Sequence, residues 1–531
     1  MSIINANPTV VVVGGGSSAW SAAAILSSSR GLNIKVIEPE QSHPIGVGES
    51  TLPQINTFHK KTGLSIFKTN KWLDEVDGTA KFSIEFKDFH RKTGDKWIHP
   101  FPMASGGDID AIGEFVKGES KTAKEMSQQE WAEKNVFLAK MQANRFYSRD
   151  EVDGLPSGYH FDAVKYGELL KREVLSERPN VDLIEATVEG AARDASASNE
   201  DTIVALMLSN GELVKGDYFV DCTGFKSVIS TGEYLSYDFR LYCDTALAVQ
   251  LPYIDKSAQQ RNTTHCKGMS SGWVWNVPLQ SRVGTGYVYS SRHITQEDAE
   301  EEFRDYLQKQ FGYEKSEIAL RKVDFSPRRK KEPWAGNTIS IGLSGFFLEP
   351  LESTGLALTH ISLMRLLPLI EQSGMNNDLR REKFNRFVAH NTDNAMEFID
   401  AHYAFSERID TEFWRDSSVK FFSPVQSELF NAYMTPGESF NDEVIGDSAG
   451  PYYFFTAPSW AMLFYGNKFQ PNSGSANLKP VLPTLSSIRR TICGGCEHKK
   501  QILKTDFCGK CKCILAAKTK FESASCPIGL W

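Results

Sequence analysis

The chain opens on an uninterrupted apolar run, Thr9 to Val13 (TVVVV), the pattern of a strand covered on both faces. Three glycines, Gly14 to Gly16, follow at once. The Ala-rich stretch Ser18 to Leu26 (SAWSAAAIL) then predicts a helix, and Ile34 to Glu38 (IKVIE) predicts a second strand. Together they form a βαβ unit. Between 183 and 224 the pattern changes to antiparallel sheet. Ile203–Leu208 and Glu212–Val220 flank Ser209-Asn210-Gly211, and Asn-Gly is a strong hairpin signal. Asp221 to Phe225 (DCTGF) ends a strand in a glycine turn. Residues 292–311 and roughly 356–407 carry the spaced apolar positions of helices. From Asn467 to Ser487 the chain becomes rich in Pro, Asn, Ser and Gly, which predicts a linker. No internal repeat is visible.

Composition narrows the class. At 531 residues the chain can bury a large core in two or three structural units. A net charge of −7 argues against bulk nucleic-acid binding and against an anionic membrane surface. No apolar run is long enough for a transmembrane helix, and no basic segment with an apolar core precedes Thr9, so a cytoplasmic enzyme is expected.

The nine cysteines are unevenly spread. Cys222, Cys243 and Cys266 read as reduced, packed thiols, whereas the other six crowd the C-terminal end. There Cys493-x2-Cys496 and Cys508-x2-Cys511 make two knuckles that suit one tetrahedral Zn2+. Cys513 and Cys526 could replace a knuckle cysteine or stay free. A disulfide knot is the alternative, disfavoured in the cytoplasm. The lysine excess of this tail leaves nucleic-acid contact open, but a structural cap or a homo-oligomer contact is the favoured reading.

The glycine turn carries the first candidate chemistry. Gly14-Gly15-Gly16-Ser17-Ser18-Ala19 fits G-x-G-x-x-[G/A] between a strand and a helix. The first glycine makes the turn, the second admits a pyrophosphate against backbone, and Ala19 lets helix and strand pack closely. The N–H groups and dipole at the helix start attract that anion. Glu38, at the end of the second strand, can hold a ribose diol and would repel a 2′-phosphate, which favours FAD or NAD over NADP. A bare motif would be weak. Strand, helix and acid together make it a dinucleotide site.

Four further segments narrow the chemistry. Gly46-Val47-Gly48-Glu49-Ser50-Thr51-Leu52-Pro53 follows the second strand, and its glycines let backbone pass close to a planar ring. Gly272-Trp273-Val274-Trp275-Asn276-Val277-Pro278 places two indoles at spacing two, on one face of an extended segment. Ile341 to Gly355 contains Gly342-Leu343 and the unusual run Glu349-Pro350-Leu351-Glu352-Ser353-Thr354-Gly355. Gly78 to Phe86 contains Lys81, with Lys87 as a nearby competitor. Taken singly, paired tryptophans are ordinary core and a lysine is ordinary surface.

Taken in order, over residues 9–470, these segments resemble the flavin-dependent tryptophan halogenases and their relatives. The resemblance implies that reduced FAD, oxygen and halide yield hypohalous acid, which reaches an electron-rich aromatic ring or indole through a catalytic lysine. Lys81 is the matching lysine. Glu352 is the matching carboxylate beside the ring, its bland alternative being a helix cap. FAD contacts are implied for Gly14, Gly16, Ser17, Ser18, Ala19, Glu38, Gly48, Glu49, Ser50 and Leu343, the last where many flavin monooxygenases carry Asp. Halide is implied at Thr354 and Gly355, and Trp273 and Trp275 shield the flavin from the organic substrate. Trp97-Ile98-His99-Pro100-Phe101, Tyr159-His160-Phe161-Asp162 and the Pro451–Phe455 run resemble pocket segments, giving His99, Phe101, Tyr453, Phe454 and Trp460 as candidate substrate contacts. With no second nucleotide site in evidence, a separate flavin reductase is the implied partner.

The implied architecture is an α/β flavoprotein: a Rossmann-like FAD domain, an antiparallel sheet insertion, a helical substrate region and a small zinc-ribbon-like tail. The halogenase module spans 1–470, with FAD parts near 1–90, 155–250 and 330–372, followed by a linker at 471–488 and the tail at 489–531. The tail's ending resembles small cysteine-rich tails of marine phage proteins, which would place the enzyme in a host cytoplasm. Two rivals stand beside this reading: a flavin monooxygenase that hydroxylates, and a catalytically silent flavin- or zinc-binding interaction protein.

Overall fold

Thr9–Val13 lies inside a six-stranded sheet with neighbours Tyr218–Asp221 and Asn33–Glu38, both parallel to it. Val181–Glu185 closes one side, and Thr338–Ser340 with the antiparallel Trp334–Ala335 closes the other. The all-apolar strand is explained by its two faces. Val10 and Val12 enter the core packed by the helix Ser17–Leu26, with Trp20, Ala23 and Leu26. Val11 and Val13 point the other way, into a second core with Leu206, Val214 and Phe219. Side chains alternate across a strand, so a strand covered on both sides has no position to spare for a polar residue.

The second cover is a three-stranded antiparallel sheet of Val188–Arg193, Ile203–Leu208 and Leu213–Val214. The expected hairpin forms around Gly211, whose φ of +81° lies in the left-handed region that glycine tolerates. Its second arm is shorter than expected. Only Leu213–Val214 pairs back, and Tyr218–Asp221 leaves to join the parallel sheet. Gly216 stands at that departure.

A seven-stranded mixed sheet carries the tryptophan pair. Its order is Arg321–Asp324, Thr245–Pro252, Arg282–Tyr289, Gly272–Pro278, Thr263–Gly268, Ser83–Lys87 and Lys96–Pro100, with one parallel pairing, between Thr263–Gly268 and Ser83–Lys87. A smaller sheet joins Glu49–Ser50, Gly158–Phe161 and Thr79–Lys81. Phe82 alone separates Thr79–Lys81 from Ser83–Lys87. Lys81 therefore stands where the chain passes from one sheet to the other.

The helix expected over 356–407 is two helices, Thr354–Glu371 and Asn377–Ala404. Asn376 caps the second by accepting from the Asp378 N–H, which fixes the break. The helix expected over 292–311 is Gln296–Phe311, capped by Thr295 and ended by Gly312 at φ +84°.

This computed structural model describes residues 7–40, 49–101, 146–151, 157–194, 202–372, 376–418, 422–435, 442–449, 454–469, 499–502 and 505–508. The linker 471–488 and Gly48, Tyr453, Cys493, Cys496, Cys511, Cys513 and Cys526 lie outside them. Of the tail, the backbone hairpin of Lys499–Ile502 and Thr505–Cys508 is described, which places Cys508 at a strand end. Among the described residues no cluster of metal-ligating side chains occurs, and no helix is long and apolar enough to cross a membrane.

Candidate active site

The glycine turn has the geometry of an anion cradle. At Gly14, φ is +136° and a Cβ would stand 2.5 Å from the Cys222 carbonyl oxygen. At Gly16 a Cβ would meet nothing within 4 Å, so the backbone there faces open space. The helix begins at Ser17 with no side chain capping it. Its first N–H groups, at Ser17, Ser18 and Ala19, thus have no intrahelical acceptor and suit a pyrophosphate. Glu38 closes its strand beside Gly15, its carboxylate 2.9 Å from the Lys171 ammonium. Gly342 (φ +68°) packs so tightly on Ser18 that a Cβ would fall 2.5 Å from the serine hydroxyl. That contact brings the Gly342–Ser344 turn, with half-buried Leu343, to the same loop. The residues present fit a dinucleotide.

Glu49 and Ser50 pair with Phe161 and His160. Burial, then the neighbouring Asp162 charge, raises the Glu49 carboxyl to about 7. Ser50 begins a polar chain. Its hydroxyl meets the Thr264 hydroxyl at 2.9 Å, Thr264 meets His160 Nε2 at 2.9 Å, and His160 Nδ1 meets the Thr79 hydroxyl at 3.1 Å. Thr79 lies two residues before Lys81.

Lys81 is fully buried, which is rare for a lysine. Its ammonium donates to the Ser353 hydroxyl at 2.8 Å and lies 4.3 Å above the Phe101 ring. Burial pulls its pKa down to about 7, against the smaller opposing pull of Glu352 and Cys266. Lys87, the competitor, is half-buried on the large sheet.

Glu352 is also fully buried and sits between two imidazoles. His99 Nδ1 lies 3.1 and 3.0 Å from its two oxygens, and His402 Nε2 lies 2.9 Å from Oε1. The His402 contact is a close charge contact rather than a directed hydrogen bond. Burial alone would raise the carboxyl, but the two imidazoles outweigh it and bring the pKa to about 2. Ser353 follows with φ +59°, a strained turn that aims its hydroxyl at Lys81 while Glu352 faces the histidines. The next helix starts at Thr354, again without a side-chain cap. Among the described residues the buried Thr354 hydroxyl has no hydrogen-bond partner, and a Cβ on Gly355 would meet nothing within 4 Å.

Trp273 and Trp275 share one face of Gly272–Pro278, as their spacing predicts, with ring centroids 6.2 Å apart. Trp273 Nε1 donates to Glu349 Oε2 at 3.3 Å, which ties this strand to the Glu349–Gly355 run. Trp275 lies over Gly286, where a Cβ would come within 2.1 Å of the indole. Around Glu352 the walls are aromatic. His99 meets Phe101 edge-on at 5.9 Å, Phe398 stacks on Phe455 at 3.9 Å, and Trp460 meets Phe398 edge-on at 5.0 Å. Phe454 packs against Phe455 at 5.1 Å.

The geometry thus brings Lys81, Glu352, His99, Phe101, Phe454 and Trp460 to one region and the glycine loop, Glu38 and Leu343 to another. Three residues that sequence reasoning missed complete the first region: Ser353, Phe398 and His402. His402 did leave a signal. Asn391, Thr392, Asp400 and His402 are polar residues on buried positions of one long helix, where a plain packing helix would carry apolar ones.

Known proteins bear on this arrangement. The tryptophan halogenase family model matches residues 9–481. Tryptophan 7-halogenase RebH of Lentzea aerocolonigenes is 28% identical over 517 residues, covering 92% of this chain and 94% of that protein. Among solved structures, Xcc4156, a flavin-dependent halogenase from Xanthomonas campestris, superposes with a TM-score of 0.74 at 27% identity, over 88% of this chain and 90% of that one. The tryptophan 6-halogenase SttH from Streptomyces toxytricini gives a TM-score of 0.73 at 26% identity, over 87% and 90%. The strand-turn-helix with its open glycines, the buried lysine and the Glu349–Gly355 run lie within the matched residues, and the chain belongs to the tryptophan halogenase family, the flavin-dependent halogenases.

Proposed function

We propose that the protein halogenates an electron-rich aromatic or indole ring, with Lys81 handling the oxidised halogen and Glu352 stabilising the ring. The observation that carries this reading is a buried amine and a buried carboxylate on opposite sides of the Ser353 turn, beside aromatic walls. Reduced FAD, with oxygen and halide, supplies hypohalous acid. The chain's own part begins with binding. Gly14, Gly16 and the N–H groups of Ser17 to Ala19 hold the pyrophosphate, Glu38 takes the ribose diol, and Gly48, Glu49, Ser50 and Leu343 line the ring system. Thr354 and Gly355 hold the halide, supported by the partnerless Thr354 hydroxyl and the uncapped helix start. Trp273 and Trp275 keep the organic substrate away from the flavin.

Lys81 then captures hypohalous acid by one of two routes. In the first, the ammonium hydrogen-bonds to it, and the hydroxide leaves as water with the ring proton. In the second, the neutral amine attacks the halogen, which breaks the O–halogen bond, releases water and leaves a haloamine. The ring proton later returns to the amine as the halogen passes to the ring. Attack on the substrate builds positive charge in the ring, and the Glu352 carboxylate is placed to stabilise it. A carboxyl held near 2 is a poor proton acceptor, so its main contribution is its charge rather than base strength. His99, Phe101, Tyr453, Phe454 and Trp460 hold the flat substrate. The FAD parts near 1–90, 155–250 and 330–372 build the cofactor region around the glycine loop, and a separate flavin reductase supplies the reduced cofactor.

Turnover of an indole panel with reduced FAD, a reductase and bromide tests the reading by product mass. A bromine isotope doublet is expected. A product heavier by one oxygen in place of bromine supports the hydroxylase, and no product with any halide supports the silent binding protein. The tail proposal, Zn2+ on Cys493, Cys496, Cys508 and Cys511, rests on cysteine spacing alone. One zinc per chain is expected from elemental analysis, and a zinc-free chain with the same thermal stability sinks it.

A further inference from the structure

We propose that His402 is a positioning residue protonated on both ring nitrogens, whose positive charge neutralises Glu352 and so leaves Lys81 without a counter-ion. His402 Nδ1 lies 2.9 Å from the carbonyl oxygen of Phe398, one turn earlier on the same helix. A carbonyl only accepts, so Nδ1 carries a hydrogen. Nε2 lies 2.9 Å from Glu352 Oε1. A bare nitrogen there would crowd its electron density against a buried carboxylate oxygen, even though the contact lies off the ring nitrogen's axis. A second ring proton removes that conflict and makes an ion pair of zero net charge. Fully buried, the ring sits among aromatic faces that favour a cation, with Phe86 at 4.7 Å and Trp97 stacked at 5.7 Å.

His99 needs no charge in this scheme. Its Nδ1–H donates to Glu352, and its Nε2, 3.1 Å from the Ser459 hydroxyl, accepts from it. Among the described residues the other titratable groups facing Lys81 and Glu352 are Cys266 and His160. Burial pushes the Cys266 thiol up and the His160 imidazole down, so both stay neutral. Charge bookkeeping then leaves one imbalance, at Lys81. Its hydrogen bond goes to Ser353, not to Glu352. The carboxylate that would otherwise hold it as an ammonium is already paired. Burial lowers the Lys81 pKa to about 7, and the Glu352 charge opposes that only in part.

The effect on turnover rests on the halogenase reading, but the protonation of His402 does not. His402→Gln keeps an N–H that can reach Glu352 and removes the charge. The limb of the pH–rate profile governed by Lys81 is then expected to move up by about one unit, because Glu352 becomes free to hold the ammonium. At pH 7 that shift lowers the neutral-amine fraction about fivefold. A purely structural role would lower the rate without moving the limb. If the glutamine variant fails to fold, His402→Asn keeps the donor to Phe398 and removes the same charge.

Nitrogen-15 NMR of histidine-labelled full-length protein supplies a readout without activity, with the variant identifying the His402 signals. Two protonated ring nitrogens near pH 7 are expected. One protonated and one bare nitrogen, or an unmoved limb in a folded variant, overturns the proposal. A chain that halogenates nothing while His402 shows both protons overturns the proposed function and leaves this inference standing.

Discussion

Lys81→Ala is expected to abolish halogenation while reduced flavin is still consumed by oxygen at the wild-type rate. Lys81 is not packed against Gly14, Gly15 or Gly16, so removing it is expected to spare cofactor binding. It is fully buried against Phe101 and Ser353, so no other amine can take its place. The loss should be at least on the order of 10³-fold, the range for removing an essential acid–base or nucleophilic group. Lys81→Met, which preserves most of the buried volume, is expected to lose activity equally and separates chemistry from packing. Product mass and oxygen consumption, measured together, check both halves. A variant that still halogenated normally would sink the assignment.

The same residue sets a pH dependence. Its folded pKa of about 7 lies below the usual 10.5, so the folded chain releases this proton first as pH rises. Between those values the unfolded chain binds more protons, and stability contributed through Lys81 therefore rises with pH across that window. If the neutral amine captures hypohalous acid, activity falls as pH drops below about 7. If the ammonium does so, activity falls as pH rises above about 7. The direction of the limb chooses between the two routes.

Glu352→Gln is the second large effect. The substitution keeps the shape, removes the charge, and leaves His99 and His402 facing an amide. Loss of a buried group aimed at developing charge costs on the order of 10²–10³ in kcat. Substrate affinity should change far less, because in the proposed reading aromatic side chains such as Phe101, Phe454 and Trp460, rather than the carboxylate, hold the ring. Single-turnover halogenation and substrate binding, measured separately, test that split. An equal loss in both would make Glu352 a substrate anchor. The wild-type carboxylate, held near 2 against the usual 4.5, contributes stability that is complete above about pH 4.5 and is lost as pH falls through about 2.

Local chemistry made the nucleotide half legible from the chain alone. TVVVV followed by three glycines and an Ala-rich stretch admits few other folds, because a strand buried on both faces, a left-handed turn and a small-residue helix each require those residues at those places. The tryptophan spacing likewise foretold one shared face, since strand side chains alternate. The Asn-Gly turn announced its hairpin but not where the second arm would leave it. That depended on competition from the parallel sheet, whose pairing with Thr9–Val13 captures Tyr218–Asp221. The cluster around Lys81 and Glu352 belongs to the same category. Lys81, His99, Glu352, His402 and Ser459 come from five distant segments, and no local period links them. Family resemblance pointed to two of them as catalytic, yet the protonation of an amine and a carboxylate follows from burial and neighbouring charge. Those are long-range properties, set when two sheets and a helix close around residues that are far apart along the chain.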